Sequence, residues 1–389
     1  MRLGDGESSQ ARATPDYADF AHTDPGTLAG RYLRLFWHPI YRAEDLPVGW
    51  AKPIRIMGED FTLYRGEGGT PHLTAFRCAH RGTQLSTGWV EGDSIRCFYH
   101  GWKYDAAGQC VEMPAEDPSF PPKVKLKRYP CEEYLGLVFA YLGDGAPPPL
   151  PRYPDFELPG VREILAYTWP CNYFNNLDNG PDEVHVSFVH RESSLAPIAD
   201  VPRVAAEETD YGLVQYGSRA NGVTRVTHVL MPNILQFKHY LNDSEAEALG
   251  WVDVVAWRVP VDDEHYTSFV LFLTHATEEL AHRYEERQRL RAACLRALAP
   301  TGEVAEAVLR GKQRVQDVDD RPDIVNIQDY VALVGQGAIA DRCRERLGRS
   351  DAGVILLRRI WERELRALAE GRPLKQWIRP AQLAATSGV

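Results

Sequence analysis

Two short Cys/His pairs constrain this chain more than any other feature. The stretch 78–102, CAHRGTQLSTGWVEGDSIRCFYHGW, carries Cys78 with His80 and Cys97 with His100, the pairs separated by sixteen residues. Four such sulfur and nitrogen ligands in two tight pairs point to one metal centre, and both zinc and iron-sulfur clusters accept that set. A Cys/His zinc finger would place its His pair on a helix, whereas residues 94–99 read as a strand entering a turn at Gly101. A [2Fe-2S] cluster with two Cys on one iron and two neutral His on the other fits two loops of this kind. A structural zinc knuckle is the plainer alternative for paired Cys and His.

At 389 residues the chain is long enough for two domains with cores of their own. Its net charge of -10 argues against a nucleic-acid partner. No apolar run approaches the ~20 residues needed to span a membrane. The first thirty residues are polar, with Asp5, Glu7, Asp16 and Asp19, and hold no apolar segment of a signal peptide. The cysteines outside the two pairs, Cys110, Cys131, Cys171, Cys294 and Cys343, are scattered and odd in number, the usage of a reducing compartment, which reads as cytoplasm.

Along the chain, residues 1–30 read as a loose N-terminal arm, with a short helix beginning near Thr27. Residues 31–146 are β-rich, with alternating stretches at 61–65 and 73–76, the Cys/His loops, and strands expected at 99–104 and 135–142. Pro147, Pro148, Pro149, Pro151 and Pro154 make 147–155 a stiff linker. In 156–389 a partly helical stretch at 172–194 precedes four or five strands, at 213–216, 224–229, 234–240, 251–259 and 266–275, which suit a large antiparallel sheet with one buried face. Helices follow at 278–296, at 302–345 with breaks, and at 352–369. The fold class is α+β.

A second constellation lies at 175–190, NNLDNGPDEVHVSFVH. Two His and a carboxylate can form the facial triad that binds non-haem Fe(II) and leaves positions open for dioxygen. His185 and His190 are five residues apart, roughly 140° on a regular helix, so converging them requires a helix end or a bulge. Asp182, three residues before His185, shares its helical face and can accept that imidazole's second N–H. Taken alone, His-x4-His is more often a pair of ordinary core or surface histidines.

With both constellations in view, the chain resembles the oxygenase (alpha) component of the Rieske non-haem iron aromatic-ring oxygenases, in the phthalate-dioxygenase branch that includes single-subunit O-demethylases. The strings His80-Arg81-Gly82 and His100-Gly101-Trp102 look like the Rieske motif. Asp182-x-x-His185-x4-His190 matches the family's bridging Asp and two iron ligands, and residues 257–263, WRVPVDD, match a branch signature. One departure is that Asn175 and Asp178 stand where the branch usually carries Gln and Glu, each one methylene longer. The resemblance implies a β-rich Rieske domain followed by a catalytic domain of the helix-grip, START-like kind.

A third iron ligand is still required. Asp323 opens a helix, where a carboxylate is commonly a dipole partner. Asp341 begins a charged run that reads as a solvated face. Asp329 shares a stripe with Val325 and Ala332 and falls where the branch carries its ligand carboxylate, which makes it the candidate.

The resemblance further implies single electrons delivered to the cluster, dioxygen activated at a mononuclear Fe(II), and Asp182 joining the two centres across subunits of a homotrimer. The sequence has neither a Gly-x-Gly-x-x-Gly fingerprint nor plant-type ferredoxin spacing, so NAD(P)H would act through a separate reductase or ferredoxin. Branch analogy favours hydroxylation or O-demethylation of a small aromatic acid or ether. Ring cis-dihydroxylation, or a Rieske electron carrier without oxygenase activity, are the alternatives. Lys238, His239 and Asn242 are candidates for lining the substrate pocket, although polar residues on a strand are commonly just solvent-facing.

Overall fold

A computed structural model describes residues 16–191, 200–240, 251–276, 278–318, 321–381 and 383. Helix α1 (Leu28–Leu33) is capped by Thr27, whose hydroxyl accepts from the Gly30 amide. Then come β1 (Trp37–Arg42), β2 (Ala51–Ile56), β3 (Glu59–Arg65), β4 (Pro71–Ala75), β5 (Trp89–Glu91), β6 (Ser94–Arg96), β7 (Lys103–Tyr104), β8 (Cys110–Glu112), β9 (Arg128–Tyr129), β10 (Cys131–Tyr134) and β11 (Leu137–Tyr141). They form small antiparallel sheets ordered β1-β11-β10, β2-β3-β4-β9 and β5-β6-β7-β8. The last of these carries the second Cys/His loop. The strand expected at 99–104 is confined to Lys103–Tyr104, because the chain leaves β6 at Cys97 and turns at Gly101, whose φ of +73° suits glycine.

After the proline-rich stretch, whose Pro148 carbonyl accepts from Trp37 Nε1 at 2.8 Å, come β12 (Val161–Trp169), α2 (Tyr173–Asn179) and α3 (Val184–Val189). The strands β13 (Arg203–Glu208), β14 (Gly212–Ser218), β15 (Thr224–Leu230), β16 (Ile234–Tyr240), β17 (Trp251–Pro260) and β18 (Tyr266–Thr274) follow. Helices α4 (Glu278–Ala297), α5 (Thr301–Leu309), α6 (Ile324–Val334) and α7 (Ala352–Ala369) complete the domain. Strands β12 to β18 build one seven-stranded antiparallel sheet in the order β12-β18-β17-β16-β15-β14-β13. Its two edge strands carry no pattern that marks them in the sequence. β13, RVAAEE, is polar and largely exposed, and β12 is only half buried, so neither shows an apolar run.

Strand alternation gives the sheet two chemically different faces. One face carries Leu235, which packs so closely under Gly180 that a Cβ there would lie 2.2 Å from Leu235 Cδ2. This is the face covered by α2 and α3. The other carries Trp257, whose ring meets Phe139 of the N-terminal domain at 5.7 Å and Tyr153 of the connecting stretch at 5.3 Å. The two domains therefore share one continuous core.

The expectation of a loose arm at 1–30 is corrected for its described part. Phe20 is buried and stacks on Phe174 at 4.8 Å, the Thr23 amide donates to Asp263, and Tyr173 donates to the Phe20 carbonyl. Burial of an aromatic side chain of this size stabilises by about 2 kcal/mol or more, enough to hold the segment against α2 and α7.

Candidate metal centres

The two Cys/His loops are built alike. In each, the Cys carbonyl accepts from a glycine four residues on (Gly82 at 3.0 Å, Gly101 at 3.1 Å), and the Cys amide donates at 2.8 Å to a carbonyl five residues on (Thr83, Trp102). Both glycines have positive φ, +75° and +73°. This repeat closes each loop so that its Cys lies inward: Cys78 and Cys97 are buried free thiols. The imidazoles of His80 and His100 meet at 4.4 Å, and His80 stacks flat on Trp102 at 4.4 Å.

The donor set fits a cluster. His80 Nδ1 is buried with no hydrogen-bond partner, an orphan that a metal would satisfy. Burial pushes the Cys78 thiol up, against the hydrogen bond from Tyr104 at 3.2 Å, so a cation is needed to hold it as thiolate. Burial, with the charges of His80 and Arg81, pushes His100 down and favours the neutral imidazole that a metal requires. The histidine end opens toward exposed Trp89, Phe98 and Tyr99.

The second centre draws on elements far apart in sequence. Helix α3 ends at Val189 and His190 is its terminal residue, with φ -105° and ψ 12°, so the helix end expected from the His-x4-His spacing is what lets both imidazoles converge. Helix α6 brings Asp329 to them. One ligand atom from each of His185, His190 and Asp329 lies within 4.8 Å of the others. Asp329 Oδ1 stands 3.1 Å from His190 Nε2 yet lacks an aligned hydrogen bond, as two groups do when both face a shared third point.

The tautomers suit metal binding. His185 Nδ1–H donates to the Asp182 backbone carbonyl, and the Asn179 amide lies 3.4 Å from Nε2, which is therefore the lone-pair nitrogen. His190 Nδ1–H donates to Gln328 Oε1 at 2.9 Å and likewise reserves Nε2. Burial pushes the His185 imidazole down, against the pull of Asp329 and Asp182, and so favours its neutral form. Burial also opposes a proton on His190, but the adjacent Asp329 carboxylate outweighs it and raises that imidazole. Burial works to raise Asp329, and His190, His185 and Arg258 reverse the balance and hold it ionised. The Asp329 carboxylate thus favours positive charge beside the His190 Nε2, a place that suits a divalent cation.

The rejected carboxylates lie elsewhere. Asp323 takes Arg321 at 2.5 Å and the Thr301 hydroxyl at 2.5 Å, and Asp341 pairs with Arg344 at 3.1 Å. Asp182 differs from expectation in one respect: its carbonyl, not its carboxylate, takes the His185 N–H. Its Oδ1 accepts from the Val184 and His185 amides at 3.1 and 3.2 Å and caps α3. The carboxylate lines a surface recess of about 460 Å³ with Asn179, Arg344 and Asp351. Asn175 and Asp178 both have work at their shorter length. Asn175 clamps the turn after α6 through the Gly337 carbonyl and the Ala340 amide, and Asp178 pairs with Arg358 at 2.7 Å.

Lys238 is corrected. It lies directly across from Asp253 and pairs with it at 2.8 Å, on the Trp257 face of the sheet and away from the helices that carry the metal ligands. Alternation decides this, and a periodic strand does not reveal in sequence which face is which. The side chain of His239 and the whole of Asn242 lie outside the described residues. Gln328 and Asn179, not singled out from the sequence, are the neighbours that orient the imidazoles. Their only sequence signal is adjacency to Asp329 and to the Asp182 string.

Comparison with known proteins agrees with this architecture. Residues 36–130 match the Rieske [2Fe-2S] domain family. The 5,5'-dehydrodivanillate O-demethylase oxygenase subunit of Sphingobium sp. (strain NBRC 103272 / SYK-6) is 31% identical over 373 residues, covering 92% of this chain and 82% of that protein. Phenoxybenzoate dioxygenase subunit alpha of Ectopseudomonas oleovorans is 30% identical over 388 residues, covering 90% and 86%. A solved structure, the reduced complex between oxygenase and ferredoxin in carbazole 1,9a-dioxygenase, superposes with a TM-score of 0.64 at 22% identity over 93% of this chain and 99% of that one. The chain belongs to the Rieske oxygenases, as an alpha-type oxygenase subunit. It is an oxidoreductase, the oxygenase component of a multicomponent system.

Proposed function

We propose that this subunit hydroxylates or O-demethylates a small aromatic acid or aryl ether at an Fe(II) held by His185, His190 and Asp329, with Cys78, His80, Cys97 and His100 holding the [2Fe-2S] cluster. The convergence of two neutral-capable imidazoles and an ionised carboxylate in a partly buried site, in a chain that carries a Rieske domain, is the observation behind this reading. When bound, the cluster supplies single electrons and the ferrous ion a site for dioxygen activation. The chain's own residues do the rest. Gln328 and the Asp182 carbonyl orient the two imidazoles, and Arg258 helps keep Asp329 charged. A sequence identity of 31% with an O-demethylase subunit over 92% of the chain supports monooxygenation, with ring dihydroxylation as the alternative.

In this proposal the domain limits are 31–146 for the Rieske domain, 147–155 for the linker and 156–389 for the catalytic domain. Electrons come from NAD(P)H through a separate reductase or ferredoxin. Three copies assemble so that the exposed histidine end of one Rieske domain meets the Asp182 recess of the next. Cytoplasmic location is supported by seven free cysteines, and among the described residues no helix is long and apolar enough to cross a membrane. The test is to reconstitute the protein with a reductase, NADH and a panel of methoxybenzoates and identify products. Formaldehyde and phenol in equal amounts are expected, and a cis-diol would establish dihydroxylation instead.

A further inference from the structure

The two Cys/His loops share a frame that their ligand spacing hides. One reads Arg77-Cys78-Ala79-His80-Arg81-Gly82 and the other Arg96-Cys97-Phe98-Tyr99-His100-Gly101, so the histidine shifts by one place while arginine, cysteine and glycine keep theirs. In both, the arginine donates from Nη1 to the carbonyl of the glycine five residues on, Arg77 to Gly82 at 3.0 Å and Arg96 to Gly101 at 2.8 Å. A trans peptide holds its carbonyl and amide on opposite sides, so a clamp on the glycine carbonyl also fixes the direction of the next amide, that of Thr83 or Trp102. The carbonyls of those same two residues accept from the Cys78 and Cys97 amides at 2.8 Å. Each arginine therefore fixes one end of the residue whose other end the cysteine amide holds.

The two clamps differ in charge. Arg96 keeps 18% of its side chain accessible, and it donates to Glu91 from Nε at 2.7 Å and Nη2 at 3.0 Å, and to Glu112 from Nη2 at 2.7 Å. Lys103, its cross-strand partner, also pairs with Glu91, at 3.0 Å. Two cations thus face two carboxylates, and the second clamp belongs to a balanced strut that ties β5, β6, β7 and β8 together. Arg77 is exposed, has its guanidinium 5.4 Å from the centroid of the Phe76 ring, and meets no carboxylate among the described residues. Arg81, the other cation of the first loop, lies 5.4 Å from the centroid of the Tyr99 ring and donates to no loop glycine among the described residues. An added electron brings negative charge to an iron-sulfur cluster, so the net charge beside it sets how readily it is reduced. A compensated guanidinium contributes shape alone, and an uncompensated one contributes shape and charge.

We propose that Arg77 and Arg96 are paired positioning residues of the [2Fe-2S] site with divided tasks: Arg96 keeps the second loop closed around the cluster, and Arg77, the clamp without a carboxylate, raises the reduction potential. The assignment rests on the reading of Cys78, His80, Cys97 and His100 as the cluster ligands.

The experiment uses full-length wild-type, Arg77→Gln, Arg77→Lys and Arg96→Gln proteins purified with their clusters and matched for visible absorbance. Reduction potentials are read by spectroelectrochemical titration at one pH and ionic strength, and cluster loss is followed by absorbance in excess ferrous chelator. Arg77→Gln is expected to disfavour reduction at least about threefold, a downward shift of roughly 30 mV, and Arg77→Lys to recover most of it. Arg96→Gln should lose its cluster at least about tenfold faster than wild type, and Arg77→Gln less than about threefold faster. Should Arg96→Gln not assemble, Arg96→Lys, which keeps the charge but not the fork, is expected to show faster loss in the same assay. A wild-type potential in Arg77→Gln, an equal fall in Arg77→Lys, or wild-type cluster retention in the Arg96 variants overturns the assignment. A wild type without [2Fe-2S] absorbance overturns the cluster reading as well, whereas an unchanged Arg77→Gln potential in a protein with that absorbance leaves the cluster reading standing.

Discussion

The two candidate metal centres of this molecule are assembled in opposite ways. The cluster site is local: its four candidate ligands fall within 78–102, and each loop is closed by its own backbone hydrogen bonds around a left-handed glycine. The candidate mononuclear site is tertiary: His190 and its partner Gln328 are 138 residues apart, and only the packing of α3 and α6 on the sheet brings them together. A local site depends on turn chemistry and survives small shifts of the surrounding core. A tertiary site inherits every such shift, and it needs neighbours such as Gln328 to hold its ligands in line.

The comparison breaks most sharply at Cys97. Cys97→Ser is expected to abolish the visible absorbance of the cluster, because an alcohol does not replace a cluster thiolate, while Cys110→Ser, buried in the same small core, retains it. Equal loss in both variants, read by absorbance and iron-sulfide content, would show the ligand set to be wrong.

Next in size, Asp329→Ala, His185→Ala and His190→Ala should each lose mononuclear iron and lower turnover by more than about 100-fold, with cluster absorbance unchanged. Asp323→Ala should keep iron and turnover and lower only the melting temperature, since its contacts are with Arg321 and Thr301. Metal analysis alongside spectroscopy separates the two behaviours.

Gln328→Leu sharpens the comparison further. It removes the acceptor of the His190 Nδ1–H, and iron affinity is expected to fall by roughly 10- to 100-fold, with Gln328→Glu retaining most of it. Competition with a ferrous chelator measures this, and unchanged affinity in the Leu variant would assign Gln328 to packing alone.

The smallest effect on stability falls at Asp182. Asn caps a helix about as well as Asp, so Asp182→Asn should shift unfolding by less than about 1 kcal/mol and leave both metals bound. In the proposed role of link between the centres, an amide offers one acceptor oxygen where a carboxylate offers two. Cluster reoxidation in a single-turnover stopped-flow experiment should slow at least about tenfold. Reoxidation at the wild-type rate would return Asp182 to its observed capping role.

Much of this architecture is legible in the order of the amino acids. The Cys/His loops declare themselves because cluster ligation needs short spacings and glycine turns, and both are properties of adjacent residues. The central strands β14 to β18 are readable from their alternation, and Asp329 is a candidate from the apolar stripe of its helix together with its place in the family pattern. Edge strands β12 and β13 are not, because β13 is largely exposed and β12 is only partly buried along its length, so neither shows a clean apolar alternation. Residues 16–30 read as loose because their few apolar residues carry no periodicity, yet Phe20 finds its site between Phe174 and Trp361, which follow it far along the chain.

Sequence by itself determined the candidate cluster ligands from residue types at short, fixed spacings, and the two candidate iron-binding histidines and the class of fold from the resemblance and the pattern of strands and helices around them. Tertiary structure alone decided that the Asp182 carbonyl rather than its carboxylate meets the His185 imidazole, that Gln328 orients His190, and that Lys238 faces away from the site. The reason is geometric. Strand alternation separates two faces without naming which is covered, and only the packing of helices onto one of them gives each side chain its neighbours.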